Sequence, residues 1–236
     1  MLITIQTITD SAIDLADMRR SAFIDQSGTA SSELIRYVNM AYKDVYQQIV
    51  QSKENYFAQP YAFNLVGAQG TYTLPTDFYK LNGVDLALDN SNTRFITLSP
   101  AMFKDRNKYK SSINALTAPY GQVFRYLLIK DTIQFIPVPT SAFQVIVWYT
   151  PEPATITSLS DTVTLPPGCD EYMSLYIGAM MKAKEESDPS ALDFKRNQVL
   201  LQLKSSLRER DTGSANYVVD EESINLGAIL PFRGFY

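Results

Sequence analysis

A chain of 236 residues, 45% hydrophobic and 19% charged, has the composition of a globular protein. It is long enough to bury roughly 70% of its unfolded surface without a disulfide or a structural metal. With no histidine and one cysteine, Cys169, it excludes a histidine general base, Ser-His-Asp and Cys-His nucleophiles and an internal disulfide, and it argues against zinc. A net charge of −4 is the wrong sign for a general nucleic-acid coat.

The first predicted helix runs from about Asp10 to Arg20. Ser11 and Asp14 resemble a capping box, Ile13, Leu15 and Met18 are its apolar positions, and Arg19-Arg20 suit its end. Asp25 to Thr29 is a turn by composition. The next helix has the clearest pattern: a Ser31 or Ser32 cap, Glu33 in the first turn, then Leu34, Val38, Ala41, Val45 and Ile49 at helical spacing. Ile35, Tyr42 and Tyr46 widen that stripe, so the helix is expected to be covered on more than one side.

The character changes at Tyr56. Tyr61–Leu65, Thr71–Leu74, Phe78–Leu88 (with Val84, Leu86 and Leu88 on one face) and Phe95–Leu98 read as strands, with turns at 67–70 and 89–92. Ser99-Pro100 predicts a short helix ending near Tyr109. Tyr120–Ile129 and Thr132–Ile136 read as a strand pair around Lys130-Asp131, with Pro137 and Pro139 ending the second strand. Gln144–Tyr149 and Thr162–Leu165 follow as strands. Many short strands with turn signals between them favour a small sandwich or barrel.

Helix resumes after Pro166-Pro167-Gly168, with Asp170 as cap and Tyr172, Tyr176, Ala179, Met180 and Ala183 on one face. Ser187-Asp188-Pro189 breaks it, and Leu192, Val199, Leu203 and Leu207 mark a last helix ending at Arg208-Glu209-Arg210. The expected fold class is α+β: a helical bundle built from N- and C-terminal helices, with an inserted antiparallel β sandwich or barrel-like domain and an extended C-terminal tail. The expected divisions are 1–56, 57–165, 166–210 and 211–236.

That tail turns from acidic (Asp220-Glu221-Glu222) to apolar and aromatic. Tyr217, Ile224, Leu226, Ile229, Leu230, Phe232, Phe235 and Tyr236 are costly to leave in water, so they are candidates for an interface with a neighbouring subunit or a partner; docking on the chain's own bundle is the alternative. The 15 tyrosines and 12 phenylalanines support interface use as well, although Tyr also suits strands. Lys104, Arg106, Lys108 and Lys110, opposed only by Asp105, form a charged patch that reads as either a solvated face or a contact for DNA or an acidic surface.

No other pattern brings chemistry. There is no P-loop, GxGxxG or EF-hand spacing, and Gly67 to Gly70 is a turn. Paired carboxylates remain open in form, but Asp77, Asp85, Asp131 and Asp161 sit where turn and cap residues sit. No cofactor, metal or catalytic residue is assigned. Met1–Ile5 carries no basic leader and no window approaches the length of a membrane span, so a soluble, cytoplasmically made protein is expected.

Three segments carry a resemblance. Ser31 to Val45 has an Asn after an apolar pair within a helix; Tyr72-Thr73-Leu74-Pro75-Thr76-Asp77-Phe78 has the form Y-x-L-P-x-D-F before a strand; and Ile133 to Pro139 is followed by Tyr149-Thr150-Pro151-Glu152-Pro153. Glu171-Tyr172 and Glu185-Glu186 then precede the last helix. In these the chain resembles the head-to-tail adaptor (connector) proteins of tailed bacteriophages. The resemblance implies a structural virion protein, not an enzyme. It implies a dodecameric ring that binds the portal above and tail or nozzle proteins below and conducts double-stranded DNA, with no membrane association and assembly in the host cytoplasm. The alternative is a virion or surface β-sandwich that binds a glycan or a protein.

Overall fold

The computed structural model describes residues 2–88, 93–107, 124–139 and 142–209. Among these residues four helices and ten strands make an α+β fold: β1 (Leu2–Thr4), α1 (Ile5–Ala16), α2 (Ser32–Ser52), β2 (Gln59–Asn64), β3 (Thr71–Thr73), β4 (Phe78–Ala87), β5 (Phe95–Thr97), β6 (Ser99–Pro100), β7 (Arg125–Ile129), β8 (Thr132–Ile136), β9 (Gln144–Pro151), β10 (Thr162–Thr164), α3 (Cys169–Lys184) and α4 (Ser190–Glu209).

α2 forms as its sequence dictates. The Ser31 hydroxyl accepts from the Leu34 amide at 3.2 Å, and Leu34, Val38, Ala41, Val45 and Ile49 are all fully buried. The middle of α3 is apolar on nearly every side because it lies between the others, packing on α1, α2 and α4, while Asp170, Glu171, Lys182 and Lys184 stand at its ends. Gly178 permits the closest of these approaches: a Cβ there would stand 3.2 Å from the Ala12 carbonyl oxygen. α1, α2, α3 and α4 share one core, which also takes in Ile156, Leu159, Val163 and Leu165 from the segment after β9.

A second core lies between two four-stranded sheets in the orders β2-β9-β4-β5 and β3-β8-β7-β6. Among the described residues no barrel closes, and the arrangement is sandwich-like. Alternation drives it: Val84, Leu86, Val145, Val147, Ile133 and Phe135 point inward, while their strand neighbours point to the opposite faces, where Ala87 is buried and Ile136 packs with Ala101 and Leu127 in a small third cluster. Tyr72 and Phe124 pack on Phe135, with ring centroids 5.7 and 5.6 Å apart. Burying such side chains is worth about 1.5–3 kcal/mol each.

The structure corrects several expectations. α1 starts at Ile5, with Thr4 at the N-cap position making no side-chain cap, and stops at Asp17 in a left-handed conformation (φ 56°), one turn before Arg20. Ile5, Ile8 and Ala12 are buried at helical spacing, so packing carries the helix through Ser11 and Asp14, which therefore form no box. Ser99-Pro100 does not open a helix. It is a short strand parallel to β7, followed by a single helical turn at Phe103–Asp105. Ala101 donates to the Tyr126 carbonyl at 2.7 Å, which holds the segment on the sheet edge where a proline is tolerated. Leu88 leaves the buried face of β4 and is exposed where the strand ends. Gly168 (φ 89°), not Asp170, precedes α3. The strand at Thr162–Thr164 forms, but its partner is β1, so it lies with the helices. The turn at 89–92, the start of the 120–129 strand and the tail from 211 onward lie outside the described residues.

Candidate docking surfaces

The residues that carried the resemblance, and Tyr46 beside them, hold chain segments in place. Asn39, on α2, reads the Ile156 backbone in both directions: its Nδ2 donates to the Ile156 carbonyl at 2.8 Å, and its Oδ1 accepts from the Ile156 amide at 2.9 Å. Tyr46, two turns on, donates its hydroxyl to the Pro151 carbonyl at 2.6 Å and stacks on Phe57 at 4.2 Å. Burial pushes its hydroxyl pKa up. Beside this contact a recess of about 210 Å³ is lined by Lys43, Tyr46, Gln47, Tyr79, Glu152, Pro153 and Thr155.

The Y-x-L-P-x-D-F segment turns the corner between β3 and β4. Leu74 is buried, and its amide donates to the Asp131 carbonyl at 2.9 Å. Tyr72 accepts from the Val66 amide at 2.7 Å and donates to the Gln69 carbonyl at 3.1 Å. The Asp77 carboxylate accepts from the Tyr149 hydroxyl at 3.1 Å, and the Phe78 ring lies on the Tyr149 ring at 5.9 Å.

The acidic candidates are thus occupied separately. Asp85 accepts from the Trp148 indole N–H and the Thr97 hydroxyl, each at 2.7 Å. Asp161 accepts from the Thr157 and Ser158 amides at 2.8 and 3.0 Å, and these bonds hold its carboxyl below the usual range. Asp131 belongs to the turn after Lys130 (φ 51°). Among the described residues no group of three or more His, Cys, Asp or Glu side chains could hold a metal ion. The Cys169 thiol is fully buried, and burial pushes its pKa up to about 12, so it is no nucleophile at neutral pH.

Of the charged patch, Lys104 and Arg106 are exposed beside two exposed apolar residues, Met102 and Phe103. The Arg106 guanidinium lies 4.7 Å from the Phe103 ring centroid and donates to the Phe103 carbonyl at 3.2 Å. Lys108 and Lys110 lie outside the described residues, as do Tyr217, Ile224, Leu226, Ile229, Leu230, Phe232, Phe235 and Tyr236.

A surface invisible in the sequence is the outer face of the β2-β9-β4-β5 sheet. Trp148 is 37% exposed there, its indole fixed by Asp85, with Phe95 exposed on the same face. Pro60 and Ala62 of β2 and Gly83 of β4 keep the indole's surroundings low. Strand register alone places these residues together, which is why spacing within any one segment did not show them.

Two cores joined by the Tyr46–Pro151 contact, with aromatics exposed on the sheets, are the frame on which these surfaces sit. The model of the SU10 adaptor protein matches residues 3–220, and the chain belongs to this family of phage head-to-tail adaptors. No curated protein matches the chain. An adaptor is a structural component of the virion, and it works by contact with portal and tail proteins. Among the described residues no helix is long and apolar enough to cross a membrane.

Proposed function

We propose that this chain forms a closed ring, a dodecamer, beneath the portal of a tailed phage, joins the capsid to the tail, and conducts double-stranded DNA without catalysing a reaction or binding a cofactor. The family match over residues 3–220 carries the proposal. A closed ring needs heterologous contacts, in which one surface of a subunit meets a different surface of the next. The C-terminal tail and the helical layer engage the portal or a neighbour, and the two-sheet unit faces outward or toward tail or nozzle proteins. The net charge of −4 suits a lumen through which phosphates pass with few cations to hold them. The ring is a virion component put together in the host cytoplasm.

The test is electron microscopy of the chain mixed with the portal protein encoded near it, with and without residues 211–236. The expected result is ring density extending the portal, lost when the tail is removed. No added density from the intact, folded chain would overturn the ring. The exposed Trp148 favours a second reading in that case, a glycan-binding sandwich, which predicts glycan affinity abolished by Trp148→Ala.

A further inference from the structure

Among the described residues β2 is an open edge, pairing with β9 alone as the first strand of the β2-β9-β4-β5 sheet. Its hydrogen-bond phase follows from one bond and the register: the Leu65 amide donates to the Phe143 carbonyl at 2.8 Å, and Asn64 lies opposite Gln144. In an antiparallel pair alternate residues point their N–H and C=O groups at the partner strand. Residues 59, 61, 63 and 65 therefore bond β9, and Pro60, Ala62 and Asn64 turn their backbone groups away from it. Pro60, which has no N–H to lose, sits in that outward set. All three are exposed, and Ala62 and Asn64 make no hydrogen bond on that side among the described residues.

The core beneath this edge is also incomplete. Tyr61 and Phe63 point inward, packed on each other at 5.5 Å, with Phe63 5.0 Å from Tyr72, yet both stay only half-buried. A strand added beside β2 would bond Ala62 and Asn64 and cover both rings if its residues alternated apolar and polar. The chain holds such a segment: Ser223-Ile224-Asn225-Leu226, whose Ile224 and Leu226 share one side at the period of a strand.

Resting on the ring reading above, we infer that the β2 edge accepts residues 223–226 of a neighbouring copy as a fifth strand, Ile224 and Leu226 covering Tyr61 and Phe63. Reach allows the neighbour, and ring closure selects it. The 14 residues from Glu209 to Ser223 span up to about 50 Å extended, more than the width of about 45 Å expected for a globule of this length. Donating a strand from one subunit into the edge of the next is a head-to-tail contact, the kind that closes a ring.

The test uses full-length chains assembled on the portal. Chains carrying Ala62→Cys are mixed with chains carrying Asn225→Cys, both positions on the outer face of the extended sheet, and treated with a short bifunctional maleimide. Cys169 is buried and stays unreacted. The expected product is a cross-linked dimer that forms only when both variants are present. In parallel, Ala62→Pro removes the outward N–H as Pro60 already does, and Ile224→Asp alters only the donor. Each should cut ring occupancy on the portal at least tenfold with an unchanged melting temperature. Rings without the cross-link, or a cross-link found only within single chains of the double variant, would overturn the strand exchange and leave the ring standing. No ring with the unaltered protein would overturn both.

Discussion

The helical layer and the two-sheet unit differ in how their aromatics meet the surface. In the helices Tyr37, Tyr46 and Tyr172 are buried, and their hydroxyls reach specific acceptors: Tyr37 donates to Glu33 at 2.7 Å, Tyr46 to Pro151, and Tyr172 to Asp44. In the sheets Tyr72, Phe124 and Phe135 fill the core, while Trp148, Tyr79 and Phe95 remain exposed; among the described helical aromatics Phe194 of α4 is exposed. One composition thus serves two purposes. Buried tyrosines fill a core while satisfying their polar tips, and the exposed sheet aromatics offer rigid apolar area at the surface.

The largest effect comes from attacking one core alone. Phe135 is fully buried between the sheets, and Phe135→Ala should cost about 3–5 kcal/mol. Trp148 is the single tryptophan and reports on the sheets, while ellipticity at the helical band reports on the helices. The expected outcome is a thermal transition in Trp148 fluorescence that precedes the ellipticity transition. Coincident shifts would show that contacts such as Tyr46–Pro151 merge the two regions into one cooperative unit.

Alkaline pH should act on the opposite side. Burial raises the pKa of Tyr37, Tyr42, Tyr46, Tyr172 and Tyr176 in the helices, and of Tyr126 and Tyr149 in the sheets. It also raises the helical Cys169 thiol from 9.0 to about 12. A group with a raised folded pKa stabilises fully below its unfolded value and loses that contribution as pH climbs toward the folded value. Stability should therefore fall above pH ~9, first through Cys169 and then through the tyrosines, by up to about 1.4 kcal/mol per pH unit for each buried group. The melting temperature read by ellipticity should drop more steeply between pH ~9 and ~11 than that read by Trp148 fluorescence. Equal slopes would erase the contrast between the regions.

Legibility followed the range of the interaction. α2 was readable end to end because cap, stripe and length are local, and β8 and β9 were readable from alternation between turn residues. α1 was misplaced because Ser11 and Asp14 imitate a start, whereas the real start is fixed by Ile5 and Ile8 packing into a core that sequence spacing does not name. β1 was missed, and β10 was separated from its true partner, because their pairing joins Leu2 to Thr164 across the chain. The surface was least legible: Asp85, Trp148 and Thr97 meet only through strand register. The Asn39 and Tyr72–Phe78 motifs were recognisable as patterns, but what they hold in place required coordinates.

Within the helical core, Asn39→Ala tests the hold of α2 on the segment that leaves β9. Removing the amide leaves the Ile156 N–H and C=O without partners, a loss of about 2 kcal/mol. The segment runs from Ile156 into the helical core at Leu159 and Val163, so faster amide exchange should be confined to residues 154–164 and the facing turn of α2. Exchange spread evenly over both cores would show that Asn39 supports the whole fold rather than this segment.

The smallest effect on stability should carry the clearest functional contrast. Asp85 touches Trp148 and Thr97 at the surface, where hydrogen bonds exchange readily with water, so Asp85→Ala should cost less than about 1 kcal/mol. What it removes is the fixed orientation of the indole. A rigid aromatic contributes to an interface largely because its ordering cost is met before binding. If the outer sheet face docks a partner on the virion, Asp85→Ala should weaken that contact several-fold, with an unchanged melting temperature and a red-shifted, less polarised Trp148 emission. Trp148→Ala should weaken it further. Attachment unchanged by both substitutions would mean that the exposed indole is only strand packing left in solvent, and that the functional surface of the sheets is the β2 edge alone.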